Sequence, residues 1–269
     1  VHVHTNDPGK ALSEGVKYGQ FETVKVENMR IQHANAGWVD TEGADEPKPL
    51  ERVEPEEEYG FVAVAAGEGL RTLFQDLGCS QVVSGGQTMN PSTESILAGI
   101  DQVPAETVFV LPNNGNIIMA AQQCQGLTEK NVVVIPSKTV PQGITAMMNV
   151  DPEAEVASIT EAMTEALSTV TTSQITYAAR DSDFDGFAIN EGDYLALLDG
   201  KLFGTERDIT SLLTRLAALA AEREAAFVTL FYGEGVSQEE AEAAQALFTE
   251  ACPETEISPL SGGQPGDYY

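Results

Sequence analysis

The sequence predicts an α/β fold made of two related α/β halves, with a largely parallel sheet and an antiparallel section. Three observations support this class. Short apolar runs alternate with amphipathic helical patterns, polar loops follow the predicted strands, and one strand–helix pattern occurs twice. A small β-α-β unit at the start is expected to be the remnant of another domain, because it is too short to hold a core alone.

The composition limits the classes of partner. Among 269 residues, 42 are acidic and 14 are Lys or Arg, which gives a formal net charge of −28. Such a surface repels nucleic acid and anionic lipid headgroups, so we expect neither as a partner. The three cysteines, Cys79, Cys124 and Cys252, are far apart and form no disulfide framework or CxxC site, which favours the cytoplasm.

No apolar run has membrane-spanning length, so we expect no membrane insertion, and no signal peptide is present. The first residue is Val1 rather than methionine, and we expect a fragment of a longer protein.

Domain boundaries follow from changes in composition. Residues 1–29 contain an alternating strand at Val1–Thr5, a short helix after Asp7 and a second strand at Phe21–Met29. Residues 30–58 form an acidic, proline-containing segment that is predicted to be a linker. The main domain is predicted at residues 59–269, with halves at about 59–150 and 151–269.

The first half is predicted to hold parallel strands, because its apolar runs are almost continuous. Such runs are typical of strands that are buried on both faces. The predicted strands are Tyr59–Ala66, Val82-Val83, Thr107–Leu111 and Asn131–Ile135.

The second half begins with a helix predicted at Pro152–Leu167 and continues with short alternating runs. Asp199-Gly200 is a hairpin signal between two of these runs, and it indicates an antiparallel section. A long helix follows. The runs are Gln174–Arg180, Phe184–Ile189, Tyr194–Leu198 and Lys201–Phe203, and the buried face of the helix is Ile209, Leu212, Leu213, Leu216 and Leu219.

A repeated pattern links the two halves. Phe61–Gly69 aligns without a gap with Phe227–Gly235, and both segments are followed by a predicted helix. The second of these helices starts with a capping box at Ser237–Glu240. Each unit then reaches Ser-Gly-Gly-Gln, at Ser84–Gln87 and at Ser261–Gln264. We interpret this as a structural duplication, and expect a ligand or partner site in the cleft between the halves.

The stretch Ser84–Thr93, SGGQTMNPST, is the first candidate for a binding loop. Asn90 is predicted to cap the following helix, with Pro91 at its first position. A glycine pair between a strand and a helix leaves backbone N–H groups free to face an anion. A tight turn without a ligand explains the same residues, and local chemistry does not separate the two interpretations.

Other polar loops follow the strands at the edge where open α/β sheets bind ligands. Lys138 is the cation among them, whereas the asparagines at 113 and 114 also suit turns. The candidate ligand- or partner-binding residues are Ser84, Gly85, Gly86, Gln87, Thr88, Asn90, Ser92, Asn113, Asn114, Lys138, Thr139, Gln142, Gly262, Gly263 and Gln264.

The candidate metal ligands are His2 and His4, which lie on one face of a predicted strand. Surface or packing histidines explain the same pattern, and no third ligand is near. The sequence has no GxxxxGK[ST], GxSxG or GxGxxG motif, and no histidine follows His33. We therefore assign no catalytic residue.

Seven motifs together resemble one known family. They are VHVHTNDPGK, VKVENMRIQH, VAVAAGEGL, SGGQTMNPST, LPNNGNIIMAA, VVVIPSKTVPQG and the terminal SGGQP. In this order they resemble the C-terminal portion of fatty-acid kinase, also described as dihydroxyacetone-kinase-like or as a DAK-phosphatase-domain protein. The resemblance covers nearly the whole chain.

The resemblance implies an N-terminal kinase domain, a middle domain and a C-terminal domain similar to DegV-like fatty-acid-binding proteins. The whole protein would transfer phosphate from ATP, with Mg, to a fatty acid held by a DegV-like partner, for phospholipid synthesis. ATP and Mg would bind the kinase domain, which this sequence lacks, so no cofactor is expected here. His2 and His4 match histidines that the family uses with an upstream cysteine to bind metal.

Three functions follow as expectations. The first is a non-catalytic C-terminal module that docks the acyl-binding partner protein. The second is a domain that itself holds a fatty acid or another small anion in the cleft. The third is an independent dihydroxyacetone-kinase-like enzyme or phosphatase. A homodimer is a further expectation.

Overall fold

The computed structural model describes residues 8–15, 17, 56–85, 90–184 and 187–269. The chain divides into two compact units, residues 1–49 and residues 50–269. In the first unit, the described residues contain helix α1, Pro8–Gly15. The predicted strands at 1–5 and 21–29, and all of the predicted linker before residue 56, lie outside the described residues.

A four-stranded parallel sheet forms the first half of the second unit, in the order β2-β1-β3-β4. Its strands are β1 (Glu57–Ala65), β2 (Gln81–Ser84), β3 (Ala105–Leu111) and β4 (Asn131–Val134). The helices between and after them are α2 (Glu68–Asp76), α3 (Thr93–Asp101), α4 (Ile118–Gln123), α5 (Val140–Met148) and α6 (Val156–Leu167).

Both faces of this sheet are buried, because successive side chains of a strand point to opposite faces. Phe61 and Phe109 stack with ring centroids 5.2 Å apart in one core, which also contains α6. Val62 and Val108 point to the other core, against α3. The nearly continuous apolar runs that predicted parallel strands therefore have a direct structural cause.

The second half combines antiparallel and parallel pairing. The antiparallel sheet has the order β5-β8-β9, and β6 and β7 form a separate hairpin. Strands β10 and β11 pair in parallel. The strands are β5 (Ser173–Tyr177), β6 (Ser182–Phe184), β7 (Phe187–Ile189), β8 (Tyr194–Leu198), β9 (Lys201–Glu206), β10 (Phe227–Tyr232) and β11 (Glu256–Ser261), and the helices are α7 (Ile209–Glu222) and α8 (Gln238–Ala251).

The predicted duplication is visible in the topology. Each half contains a strand, a helix and a second strand that pairs in parallel with the first: β1-α2-β2 and β10-α8-β11. The capping box of α8 is present, because Ser237 and Glu240 each accept from the other's backbone N–H. The Asp199-Gly200 turn joins β8 and β9, with φ of 48° and 81°. The predicted α/β class is confirmed.

Two predicted helix starts are wrong. Ser92, not Asn90, caps α3, because the Ser92 hydroxyl accepts the N–H of Ser95. The helix predicted from Pro152 begins at Val156, after a turn in which Asp151 accepts the N–H of Glu153. In both places several polar residues precede the apolar pattern, so the sequence does not show which of them begins the helix; before α6, Glu155 makes no side-chain capping hydrogen bond.

Among the helices that the structure describes, none combines the length and apolar character needed to cross a bilayer.

Candidate binding cleft between the two halves

The ends of the four parallel strands meet at one cavity of about 1070 Å³, here called the cleft. Ala66 and Gly67 follow β1, Ser84 and Gly85 lie at the end of β2, and residues 112–114 follow β3. Lys138 and Thr139 come after β4. This is the carboxyl edge at which open α/β sheets hold their ligands.

The second half supplies the opposite wall. Residues 169–175 and 225–231 line it as two extended segments, together with apolar side chains of α7 and α8 such as Leu213, Leu216 and Phe248. Arg223, at the end of α7, lies at the cleft as well. This second wall is therefore apolar deep inside the cleft and polar where it faces the first half.

Asn113 has a structural role at the centre of the first wall. It is 7 % exposed and adopts a left-handed φ of 55°, which asparagine tolerates better than most residues. Its side chain donates to the Val64 carbonyl at 2.9 Å and accepts from the Ser137 hydroxyl at 2.8 Å. The Asn113 side chain thus ties together the carboxyl ends of three neighbouring strands, β1, β3 and β4. Asn114 accepts the N–H of Asn116, which makes it a turn residue.

The start of α5 connects the two halves. Thr139 caps the helix and shares a 2.8 Å hydroxyl–hydroxyl hydrogen bond with Thr172 of the second half. Gln142 is turned away from the cleft. Its side chain accepts from the Lys138 N–H and donates to the Leu167 carbonyl, so it holds α5 against α6.

The charges at the cleft differ in sign from those of the chain as a whole. Lys138 and Arg223 are its two lining cations, and Asp267 is the carboxylate among the described lining residues. Arg223 donates to the Thr171 hydroxyl at 3.3 Å, and Gln174 donates to Asp267 at 2.8 Å. Burial raises the pKa of the Asp267 carboxyl, and the Gln174 hydrogen bond partly opposes this rise.

The second glycine loop, Ser261–Gln264, packs against the first half. A Cβ at Gly67 or Gly69 would overlap backbone atoms of this loop, and the N–H of Leu70 donates to the Gly262 carbonyl at 3.1 Å. Gln264 lines the cleft, where its Nε2 donates to the Phe231 carbonyl while its Oε1 is buried without a hydrogen-bond partner. Glycine here permits a close backbone approach between the halves.

The structure therefore brings together only part of the predicted site. Ser84, Gly85, Asn113, Asn114, Lys138, Thr139 and Gln264 line the cleft. Asn90, Ser92, Gln142, Gly262 and Gly263 are described but do not line it. Gly86, Gln87 and Thr88, with His2 and His4, lie outside the described residues. That these residues bind a ligand, partner or metal stays a prediction.

Sequence reasoning missed most of the second wall. Residues 169–172, Arg223, Asp267 and Tyr269 belong to none of the motifs, and only the fold brings them to the cleft. The one sequence feature that points to this wall is the polar run from Thr169 to Ser173, because it directly precedes a predicted strand.

The cysteines are inert in this fold. All three are buried, and desolvation raises the pKa of Cys79 to about 12 and that of Cys124 to about 11. Within the part of the chain that the structure describes, no group of three or more His, Cys, Asp or Glu residues is placed to hold a metal.

The fold belongs to a class with solved members. The chain is similar to the DegV family protein Cg2579 of Corynebacterium glutamicum, with a TM-score of 0.58 and 14% identity over 77% of this chain and 91% of that one. It is also similar to the Streptococcus pneumoniae fatty acid kinase B3 protein, whose structure contains linoleic acid, with a TM-score of 0.50 and 11% identity over 76% and 92%. These likenesses establish a DegV-like fold.

Sequence comparison then gives the family. The C-terminal domain model of fatty acid kinase A-like (FakA-like) proteins matches residues 60–269, and the middle-domain model of the same family matches residues 1–36. Protein YloV of Bacillus subtilis is 40% identical over 265 residues, and an uncharacterized protein of Staphylococcus aureus strain USA300 is 34% identical over 265. The chain belongs to the fatty acid kinase A-like family. These alignments cover 98% of this chain but 47% of either relative, about half their length.

Proposed function

We propose that this chain is the non-catalytic C-terminal module of a fatty acid kinase A-like protein, and that it docks a DegV-like, acyl-carrying partner. The observation that carries the proposal is the match of residues 60–269 to the C-terminal domain of the FakA-like family. The kinase B3 protein, whose structure is loaded with linoleic acid, shares this fold, and a fatty-acid-binding partner of that kind is the one we propose. Phosphate transfer from ATP, with Mg, would belong to the N-terminal kinase domain.

The mouth of the cleft offers a contact surface for such a partner. Met148 and Phe227 line it, and they are 69% and 74% exposed. Exposed apolar side chains near a polar rim are common at the centre of protein interfaces. Lys138, exposed at the same cavity, adds a cation to this surface of a chain whose net charge is −28.

A calorimetric titration of the chain with a DegV-like acyl-binding protein tests the proposal. We expect saturable binding, weakened about tenfold or more by Met148→Asp or Phe227→Asp, because either change places a charge in the contact. Leu127→Asp is the matched control, since Leu127 is 56% exposed and does not line the cleft. No association at high micromolar concentrations would overturn the proposal.

A second candidate function is that the cleft itself holds a fatty acid or another small anion. The cavity of about 1070 Å³ favours it, since it reaches the size of ligand sites and combines apolar depth with Lys138. Native mass spectrometry of the purified chain, incubated with palmitate and with octylamine, tests this directly. Binding of the fatty acid but not of the amine supports the candidate, and a chain that stays empty with both refutes it.

A further inference from the structure

The loop after β3 contains a pair of residues that can react with each other. Asn114-Gly115 is the single Asn-Gly pair in the sequence. Asn114 is partly exposed and lines the cleft, and Gly115 is exposed. An asparagine carboxamide can be attacked by the backbone nitrogen of the next residue, and glycine hinders this attack least because it has no side chain. A Cβ at Gly115 would meet nothing within 4 Å, so the surroundings leave the reacting atoms open to solvent.

The backbone nitrogen of Gly115 is available as the attacking atom. Within the described part of the chain, the Gly115 N–H makes no hydrogen bond. The turn is closed instead by the bond from the Ile117 N–H to the Asn114 carbonyl, which is 3.0 Å long. Attack by the Gly115 nitrogen therefore breaks no hydrogen bond of that nitrogen.

The carboxamide of Asn114 is held where this attack can occur. Its Oδ1 accepts the N–H of Asn116 at 2.9 Å. A side chain that reaches the second nitrogen along the chain folds over the intervening peptide unit, which places the Asn114 Cγ beside the Gly115 nitrogen. The Asn116 N–H also polarises the carboxamide and stabilises the negative charge that develops on its oxygen during attack.

The two neighbouring asparagines of the same loop lack this combination. Asn113 is 7% exposed, and its side chain is bound to the Val64 carbonyl and the Ser137 hydroxyl. Asn116 is exposed, but the β-branched Ile117 follows it and hinders the backbone nitrogen. Asn114 is therefore the reactive asparagine of this loop.

We propose that Asn114 is a site of spontaneous deamidation, through which the folded chain acquires a new carboxylate at the cleft. The Gly115 nitrogen loses its proton to hydroxide and bonds to the Asn114 Cγ. The bond from Cγ to Nδ2 then breaks, and the departing nitrogen takes up a proton from water and leaves as ammonia. The resulting cyclic succinimide adds one water molecule. Opening at one carbonyl gives aspartate, and opening at the other gives isoaspartate, in which the main chain runs through the former side-chain carbon.

The product changes the charge of the cleft. Among the described residues, the charged groups that line it are Lys138, Arg223 and Asp267. A carboxylate at position 114 offsets the second of the two cations, so it weakens the attraction of the cleft for anions. Isoaspartate also lengthens the main chain of the loop before α4. The reaction requires neither partner docking nor ligand binding by the cleft.

Peptide mapping by mass spectrometry of the purified chain, incubated at mildly alkaline pH, tests the proposal. We expect aspartate and isoaspartate to accumulate at position 114, with the mass gain of a hydroxyl that replaces an amino group. The rate should rise with pH, because the attacking nitrogen must lose its proton. Asn116 is the internal control and should keep its amide. Gly115→Ala is the matched variant and should slow the reaction about tenfold or more, because its methyl group hinders the approach.

The same incubation in guanidinium chloride separates the geometry of the loop from the reactivity of the dipeptide. We expect the folded chain to deamidate at least as fast as the unfolded chain, because only the folded loop holds the Asn116 donor on the Asn114 carboxamide. Loss of the amide in the unfolded chain together with its retention in the folded chain would overturn the proposal. Equal rates for Gly115→Ala and the parent chain would overturn it as well.

Discussion

Asn113 is the residue on which the first wall of the cleft depends. It has a left-handed φ of 55°, and its hydrogen bonds to Val64 and Ser137 join the carboxyl ends of three neighbouring strands. Helix α5 approaches so closely that a Cβ at Gly143 would overlap the Asn113 side chain. The sequence shows two asparagines after a strand, but not which of them is buried.

Gly143→Ala should therefore destabilise the chain, because the new methyl group displaces the Asn113 amide. We expect a loss of about 1–3 kcal/mol in the free energy of unfolding, measured in urea. Gly115→Ala is the control, since nothing lies within 4 Å of its Cβ, and it should stay within about 0.5 kcal/mol. Equal stability of both variants would show that the close contact between Gly143 and Asn113 does not limit the size of the side chain at position 143.

Asp267 gives a pH-dependent prediction. Burial raises its pKa in the folded state, so the ionised carboxylate costs stability once the pH exceeds the unfolded value of about 3.9. The full cost in stability is present above the pKa of the folded state, and it is absent below the pKa of the unfolded state. Asp267→Asn should thus stabilise the chain near pH 7 and make no difference near about pH 3. Thermal unfolding across this pH range measures the stabilisation, and the substitution Asp76→Asn at an exposed carboxylate is the control. A stabilisation by Asp267→Asn that does not depend on pH would contradict the raised pKa of Asp267.

At the scale of elements, two polar residues precede α3, and only one of them caps the helix. Ser92 accepts the Ser95 N–H at 3.1 Å, whereas Asn90 is exposed outside the helix. Ser92→Ala should lower the free energy of unfolding by about 1 kcal/mol, and Asn90→Ala should change it by less than about 0.5 kcal/mol. Chemical denaturation of the two variants distinguishes them, and a larger effect at Asn90 would contradict the observed cap.

Most elements of the described second unit could be predicted, because periodicity reflects burial. The apolar run at Thr107–Leu111 became the buried centre of β3, and Asp199-Gly200 became the expected turn. The pairing of Asp267–Tyr269 with β5 was not predictable. Three residues are too few for a periodic signal, and their partner lies about ninety residues earlier in the sequence.

The cleft was predictable in part for a similar reason. The loops after parallel strands share one edge by topology, so Ser84, Asn113 and Lys138 were expected to converge there. Arg223 and Thr171 reach the cleft only through the packing of α7 and the second half, which no local pattern encodes.

At the scale of the whole molecule, glycine-mediated contacts hold the halves together. The Gly67–Gly69 turn of the first half packs directly on Ser261–Gln264 of the second. The repeated motifs thus meet at the junction, where close backbone approach excludes larger side chains. This arrangement fixes the separation of the two walls of the cleft.

The net charge of −28 acts on the same scale. Repulsion among carboxylates opposes the compact state, and salt screens it, with a Debye length of about 10 Å at 0.1 M. We expect the Tm to rise by a few degrees between about 0.05 and 0.5 M sodium chloride. Sucrose of equal osmolarity controls for effects unrelated to charge. A Tm that falls or stays constant in salt would show that repulsion does not limit stability.

We propose that this chain binds an acyl-carrying partner as a docking module. A competition assay tests it most directly: an intact fatty acid kinase A-like protein, its acyl-loaded partner and ATP are mixed with increasing amounts of the chain. We predict that acyl phosphate formation falls as the chain sequesters the partner, and that it recovers when more partner is added. Formation that is unchanged at a large excess of the chain would contradict the claim.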